Sequence, residues 1–289
     1  MRRSTTASMP DPVWLDAQYD NRRRVPEFAQ HIARWRETSV LARAGLMCHL
    51  DVPYMASGAV SLDVFPAVRR DAPVLVFIHG GYWRALDKSD FSFVAAPFVA
   101  AGAMVVVPNY SLCPSVTIDT IALQTAHALA WVHRHAAPYG GNAARTVVAG
   151  HSAGGHLAAM MLACDGACLA IDLPPRLTYR SISISGLYDL APIAATPSLQ
   201  VDLRLTPDVV SRTSPAGFAA PAGAQLCSVV GALESEEFLR QNRMIRERWG
   251  QAAVPVCEEV PARNHFTVLD ALIEPHTALH GRAIQWLFD

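Results

Sequence analysis

A chain of 289 residues, 51% of them hydrophobic, is long enough to bury a large core and reads as one domain. A formal net charge of −1 leaves no electrostatic footprint for nucleic acid or for an anionic membrane surface. No apolar run approaches the ~18 residues of a membrane span, so the expected partner is a small molecule of low charge.

Arg2-Arg3 raises the question of a twin-arginine export signal, but residues 4–19 supply no apolar segment to follow it. The expectation is a cytoplasmic protein that meets neither membrane nor nucleic acid, with a homodimer left open. Residues 1–60 form a polar, Arg-rich N-terminal extension with helical patterns at 11–20 and 26–44, before an extended segment at 62–65. From about residue 73 short apolar runs alternate with longer helical patterns. Strands are predicted at 73–78, 103–108, 146–150, 180–185, 225–230 and 255–260. Helices are predicted near 91–101, 117–136, 154–164, 236–249 and 268–287. Ile118, Ile121, Ala122, Leu129 and Val132 fall on one face of the second of these helices. Continuous apolar strands separated by amphipathic helices imply an α/β fold, with a mostly parallel central sheet flanked by helices. The proline-rich stretch 190–224 interrupts this rhythm and is expected to be a lid above the carboxyl ends of the strands.

Six cysteines, Cys48, Cys113, Cys164, Cys168, Cys227 and Cys257, lack the dense spacing of a disulfide scaffold and read as small buried hydrophobes. Cys164 and Cys168, with His156 two turns earlier, carry only a weak metal-site reading.

Gly150-His151-Ser152-Ala153-Gly154 follows an apolar strand and opens an Ala/Met/Leu-rich helix. In that context Gly-x-Ser-x-Gly is a nucleophile elbow: the turn lifts the Ser152 hydroxyl out of the sheet, and the helix N-terminus favours negative charge beside it. His79-Gly80-Gly81-Tyr82-Trp83 follows the 73–78 strand, where a Gly-Gly loop supplies oxyanion N–H groups. The predicted donors are Gly81, Tyr82 and Ala153. His265 follows the last strand, as the general base of such a triad must, whereas His276 and His280 lie deeper in the C-terminal helix and are read as surface residues. Two carboxylates compete for the acid: Glu234 in the loop after the 225–230 strand, favoured by position, and Asp189 after the preceding strand, favoured by residue type.

These segments together resemble the arylformamidase (kynurenine formamidase) family of α/β-hydrolases. The likeness rests on His79-Gly80-Gly81-Tyr82-Trp83 with Leu86-Asp87-Lys88, on the elbow run from Gly150 to Met161, on Ser185-Gly186-Leu187-Tyr188-Asp189-Leu190, and on Glu234-Ser235-Glu236-Glu237-Phe238-Leu239-Arg240-Gln241. It covers roughly residues 50–270. The resemblance carries the acid role to Glu234, where the family usually has Asp, and Gly155 stands where an alanine is common. It implies hydrolysis of an N-formyl aryl amine such as N-formylkynurenine, with no metal or organic cofactor. Tyr82, Trp83 and Phe266 are candidates for an aromatic substrate wall, with plain core packing the competing reading. A carboxylesterase or an aryl carbamate hydrolase would use the same machinery, and a non-catalytic ligand-binding protein is a remoter alternative.

Overall fold

The computed structural model describes residues 10–289 except 57 and 59, and the Arg2-Arg3 pair lies outside the described residues. Eight strands, β1 (His49–Pro53), β2 (Ser61–Phe65), β3 (Ala72–Ile78), β4 (Met104–Pro108), β5 (Gly141–His151), β6 (Arg180–Ile184), β7 (Gln225–Gly231) and β8 (Val256–Val260), form one sheet in the order β1-β2-β4-β3-β5-β6-β7-β8. β2 is antiparallel to β1 and to β4, and every other pairing is parallel. The α/β architecture expected from the alternating pattern is the one observed.

The N-terminal segment folds as α1 (Pro12–Tyr19), α2 (Asn21–Arg24) and α3 (Phe28–Gly45). Between strands lie α4 (Ala95–Ala100), α5 (Ile118–His135), α6 (Ala153–Ala163) and α7 (Gly166–Leu169). The 190–224 stretch contains α8 (Ala191–Ala194), α9 (Pro197–Leu203) and α10 (Pro207–Arg212), each with proline in its first turn, where the missing N–H costs nothing. The chain ends in α11 (Glu236–Ala253), α12 (Asp270–Ile273) and α13 (Ala278–Phe288).

Strand β3 is buried along its whole length, which explains its unbroken apolar sequence. Its alternate side chains feed two layers. Val74, Val76 and Ile78 meet α5 and α6 through Ile121, Leu129 and Leu157. Leu75 and Phe77 join Trp35 of α3, Phe98 of α4 and Trp286 of α13 on the opposite face.

Four departures from the sequence expectations have local causes. β1 is largely exposed on an edge, and its alternation of Leu50 and Val52 with polar neighbours is too short a run to announce a strand. The 180–185 run stops at Ile184, because Ser185 turns to φ 52°. The 268–287 pattern splits into α12 and α13, with Thr277 capping the second by accepting from the His280 N–H. His280 is buried rather than superficial: its Nδ1 lies 2.9 Å from the Leu272 carbonyl oxygen and its ring packs on Phe98 at 5.2 Å.

One buried ion cluster ties the antiparallel edge to the loop after β3. Lys88 Nζ donates to Asp63 at 2.6 Å and to Asp51 at 2.7 Å, and Asp63 on β2 is only 1% exposed. Removing the cation leaves Asp63 desolvated and without its counter-charge. Lys88→Met is therefore expected to cost about 3–5 kcal/mol, read as a lower urea midpoint, and Lys88→Met/Asp63→Leu to recover most of that loss. An unchanged midpoint in the single variant would contradict this account.

Candidate active site

Strand β5 runs into a turn that few residues tolerate. Ser152 has φ 58° and ψ −118°, and α6 starts at the next residue. The turn survives because neighbouring backbone is packed too closely for side chains. A Cβ on Gly150 would sit 2.1 Å from the Gly154 carbonyl oxygen, and one on Gly154 would sit 2.0 Å from that of Ile78 at the end of β3. The Ser152 N–H donates to the Ile184 carbonyl at 2.7 Å, so three adjacent strands fix the serine.

The loop after β3 stands beside it. Gly81 has φ +111°, and a Cβ there would fall 2.0 Å from the Ala85 carbonyl oxygen, while Tyr82 and Trp83 also adopt positive φ. The loop is pinned from below by His79, which stacks on Tyr110 at 4.2 Å and places Nε2 3.0 Å from Asn109 Oδ1. Tyr110 donates its hydroxyl to the His79 carbonyl at 2.9 Å. Among the described residues the N–H groups of Gly81 and Tyr82 meet no acceptor, and both residues line a cavity that Ser152 also lines. Ala153 opens α6, so its N–H has no acceptor within the helix.

His265 and Glu234 meet within hydrogen-bond distance. The His265 Nδ1–H donates to Glu234 Oε2 at 2.6 Å, which leaves Nε2 as the bare ring nitrogen. The other carboxylate oxygen of Glu234 accepts from Ser185 Oγ at 2.6 Å and from the Gly231 N–H at 2.7 Å. Both residues are buried, Glu234 at 7% exposure and His265 at 6%. Asp189 is elsewhere employed. It accepts from the Ala191 N–H at the start of α8, and the neighbouring Gln241 amide donates to its carbonyl. The carboxylate beside the histidine is thus Glu234. Ser185 escaped sequence reasoning, because a lone serine after a strand carries no chemical signature. His151 places Nε2 2.8 Å from the His265 carbonyl oxygen, bracing the histidine loop.

The cavity, about 750 Å³, has walls from three parts of the chain. Tyr19, Asn21, Arg22, Phe28 and Trp35 come from the N-terminal helices, Gly81, Tyr82 and Arg84 from the loop after β3, and Ser198, Leu199 and Asp202 from α9. His151, Ser152, His265 and Phe266 form its floor and side. The two upper walls touch: Asp16 on α1 accepts from the backbone N–H and hydroxyl of Ser198. Tyr82 donates its hydroxyl to the Tyr19 carbonyl at 2.8 Å, and burial holds its pKa well above that of free tyrosine, so it stays a donor. Phe266 lines the cavity and stacks on His31, but Trp83 does not. Trp83 is fully buried, edge-on to His156 at 5.0 Å, so it belongs to the core rather than to a substrate wall. The aromatics that sequence reasoning missed are Tyr19, Phe28 and Trp35, all on N-terminal helices whose weak apolar stripes concealed them.

The Cys164–Cys168–His156 set does not assemble. His156 places Nε2 2.7 Å from the Thr213 carbonyl, Cys168 is exposed, and among the described residues no group of three metal-binding side chains forms. The exposure of Cys168 also departs from the expectation that all six cysteines are buried.

Three buried histidines around the site resist protonation. Burial lowers the pKa of His79 and His156, and that of His151 further because His265 lies beside it. For His156 the value falls to about 4, and its Nδ1 finds no partner in which a second N–H could be satisfied. The unfolded chain binds these protons near the ordinary histidine pKa of about 6.5, so stability is complete above that pH and falls as the solution is acidified toward pH 4. His156 alone is expected to withdraw about 3 kcal/mol over that range. Urea midpoints measured from pH 7.5 to 4.5 should decline, and His156→Gln should flatten the decline.

Comparisons with known proteins agree with this fold. A family model described as BD-FAE matches residues 62–181. Kynurenine formamidase from Danio rerio is 29% identical over 279 residues, 92% of each chain, and that from Salmo salar is 29% identical over 84% of this chain and 83% of its own. A solved Silicibacter protein, provisionally named a thioesterase, superposes with a TM-score of 0.81 at 28% identity, covering 95% of this chain and 99% of its own. The esterase LipW from Mycobacterium marinum shares the fold, with a TM-score of 0.67 at 20% identity over 96% of this chain and 94% of its own. The chain thus has an α/β-hydrolase fold, carries the elbow, the Gly-Gly loop and the buried carboxylate–histidine pair, and is similar in sequence to the arylformamidases (kynurenine formamidases) over most of its length.

Proposed function

We propose that this hydrolase removes a formyl group from an aryl amine of the N-formylkynurenine type, using Ser152 as nucleophile, His265 as base and Glu234 as its orienting acid. The observation that carries the reading is the 2.6 Å bond from His265 Nδ1 to a buried Glu234, on the cavity that Ser152 lines. The substrate class is supported by the kynurenine formamidases, which align with this chain over nearly its full length. His265 Nε2 takes the hydroxyl proton as Ser152 Oγ bonds to the formyl carbon, and the carbonyl oxygen becomes an oxyanion facing the N–H groups of Gly81, Tyr82 and Ala153. Collapse of that intermediate breaks the C–N bond, and His265 returns the proton to the departing aryl nitrogen. Water then attacks the formyl-serine with the same base, releasing formate and regenerating the hydroxyl. Glu234 holds the ring in the tautomer with Nε2 bare and stabilises its cationic form. Residues 190–224 and the N-terminal segment act as the cover that keeps water from the intermediate.

A second reading, cleavage of small acyl esters, draws support from a Mycobacterium tuberculosis carboxylesterase that is 41% identical over 98 residues.

Ser152→Ala should remain folded and lose turnover, retaining a residual rate on the order of 10³ above water from the oxyanion donors and binding. An organophosphate should label the wild type once, at Ser152, and full activity in the alanine variant would overturn the assignment. Glu234→Gln should reduce kcat by roughly 10³–10⁴-fold with the fold retained, whereas Asp189→Asn should be mild. Within a series of amides of one aryl amine, the formyl compound should have the highest kcat/KM. Each methylene added to the acyl group should cost about 1–3 kcal/mol in a close-fitting pocket. A larger acyl group outperforming formyl would move the function to a general amidase or esterase.

A further inference from the structure

The cavity wall carries three arginines, and two of them are already engaged. Arg84 pairs with Asp202 at 2.6 Å and donates to the Ser198 carbonyl, and Arg36 pairs with Asp90 at 2.9 Å. Arg22, on α2, makes neither an ion pair nor a side-chain hydrogen bond among the described residues, although it lines the same cavity as Ser152 and His265. Its guanidinium carbon lies 5.5 Å from the centroid of the Phe28 ring, another cavity residue.

That cation–π contact has a chemical consequence. A guanidinium held over an aromatic ring by its charge keeps its forked N–H donors available to a planar anion. The carboxylate is the group that matches such a fork with two parallel hydrogen bonds. Asp20 also lines the cavity, so this rim presents both signs of charge, as an α-amino acid does. We propose that Arg22 is a specificity residue that receives the carboxylate of an amino-acid side arm on the aryl formamide, and so separates such substrates from plain formanilides. This rests on the formamidase reading above and adds to it the charge class of the substrate. The rim is open to water, so the preference is expected to weaken as salt is raised.

The test compares wild type with Arg22→Gln and Arg22→Lys. The substrates are N-formylkynurenine and 2′-formamidoacetophenone, which share the aryl ketone and formamide and differ in the amino-acid arm. The ratio of their kcat/KM values should favour the carboxylate in wild type, and Arg22→Gln should reduce that ratio about tenfold to a hundredfold, chiefly through KM. Arg22→Lys should keep part of it, as a cation without the fork. A ratio unchanged by Arg22→Gln, or a wild type that favours the neutral compound, would overturn the proposal. A second measurement does not depend on formamide cleavage. Kynurenine and 2′-aminoacetophenone are compared as competitive inhibitors of p-nitrophenyl acetate hydrolysis, and Arg22→Gln should raise the inhibition constant of kynurenine alone. If neither formamide is cleaved while kynurenine inhibition still depends on Arg22, the formamidase reading fails and the carboxylate site stands. If both formamides are cleaved and Arg22→Gln changes neither comparison, the reverse holds.

Discussion

A histidine serves as a base in this kind of site only while one ring nitrogen is bare and the other is held, and here the holding group is a carboxylate taken out of water. Burying Glu234 would be costly in isolation, but its oxygens accept from His265, Ser185 and the Gly231 backbone. Each donor comes from a different place: the loop after β8, the residue after β6, and the end of β7. The hydrogen-bond set therefore forms only when three strands end in register. The extra methylene of Glu over Asp does not loosen the contact, because the second oxygen is clamped from behind.

The same strand ends carry the backbone strain. Ser152, Ser185, Tyr82 and Trp83 all adopt positive φ without being glycine, and beside them Gly81 adopts it as glycine can. Conformations of this kind persist only where surrounding structure overdetermines them. The close approach of the Gly154 backbone to Ile78, and the hydrogen bonds from the Ser152 and Ser185 N–H groups to neighbouring strands, provide that determination. The buried Lys88–Asp63 pair extends it to the loop carrying Gly81, so the antiparallel edge of the sheet supports the oxyanion side of the cavity.

The sheet and the chemical residues were legible because each follows from local pattern. Apolar runs flanked by amphipathic helices mark parallel strands, and the elbow and Gly-Gly loop are fixed by sterics that act over a few residues. Glu234 was separable from Asp189 by its place after β7, and the distances agree with position rather than residue type. What sequence could not reveal depends on contacts between distant segments. Trp35 and Phe28 look like residues of a polar helix until α3 is laid over the sheet, and Ser185 acquires its partner only through tertiary folding. Trp83 erred in the opposite direction: adjacency to Tyr82 suggested a shared wall, but consecutive left-handed residues send the two rings to different surroundings, one to the cavity and one to the core beside His156.

The N-terminal segment changes the meaning of the cavity. An α/β sheet places its reactive groups at the carboxyl ends of its strands but leaves them open above. In this chain the roof is made by α1, α2 and α9, joined by Asp16 and Ser198 and tied back to the body through Tyr19, whose hydroxyl donates to Glu237 on α11. Tyr19 in turn accepts the Tyr82 hydroxyl on its carbonyl, so the residue that anchors the roof also steadies the oxyanion loop. In the proposed mechanism, substrate selection and transition-state stabilisation are coupled through one side chain and one carbonyl. A ligand that spreads the roof must perturb the loop that would hold its oxyanion, whereas one that fits beneath it leaves those donors in place.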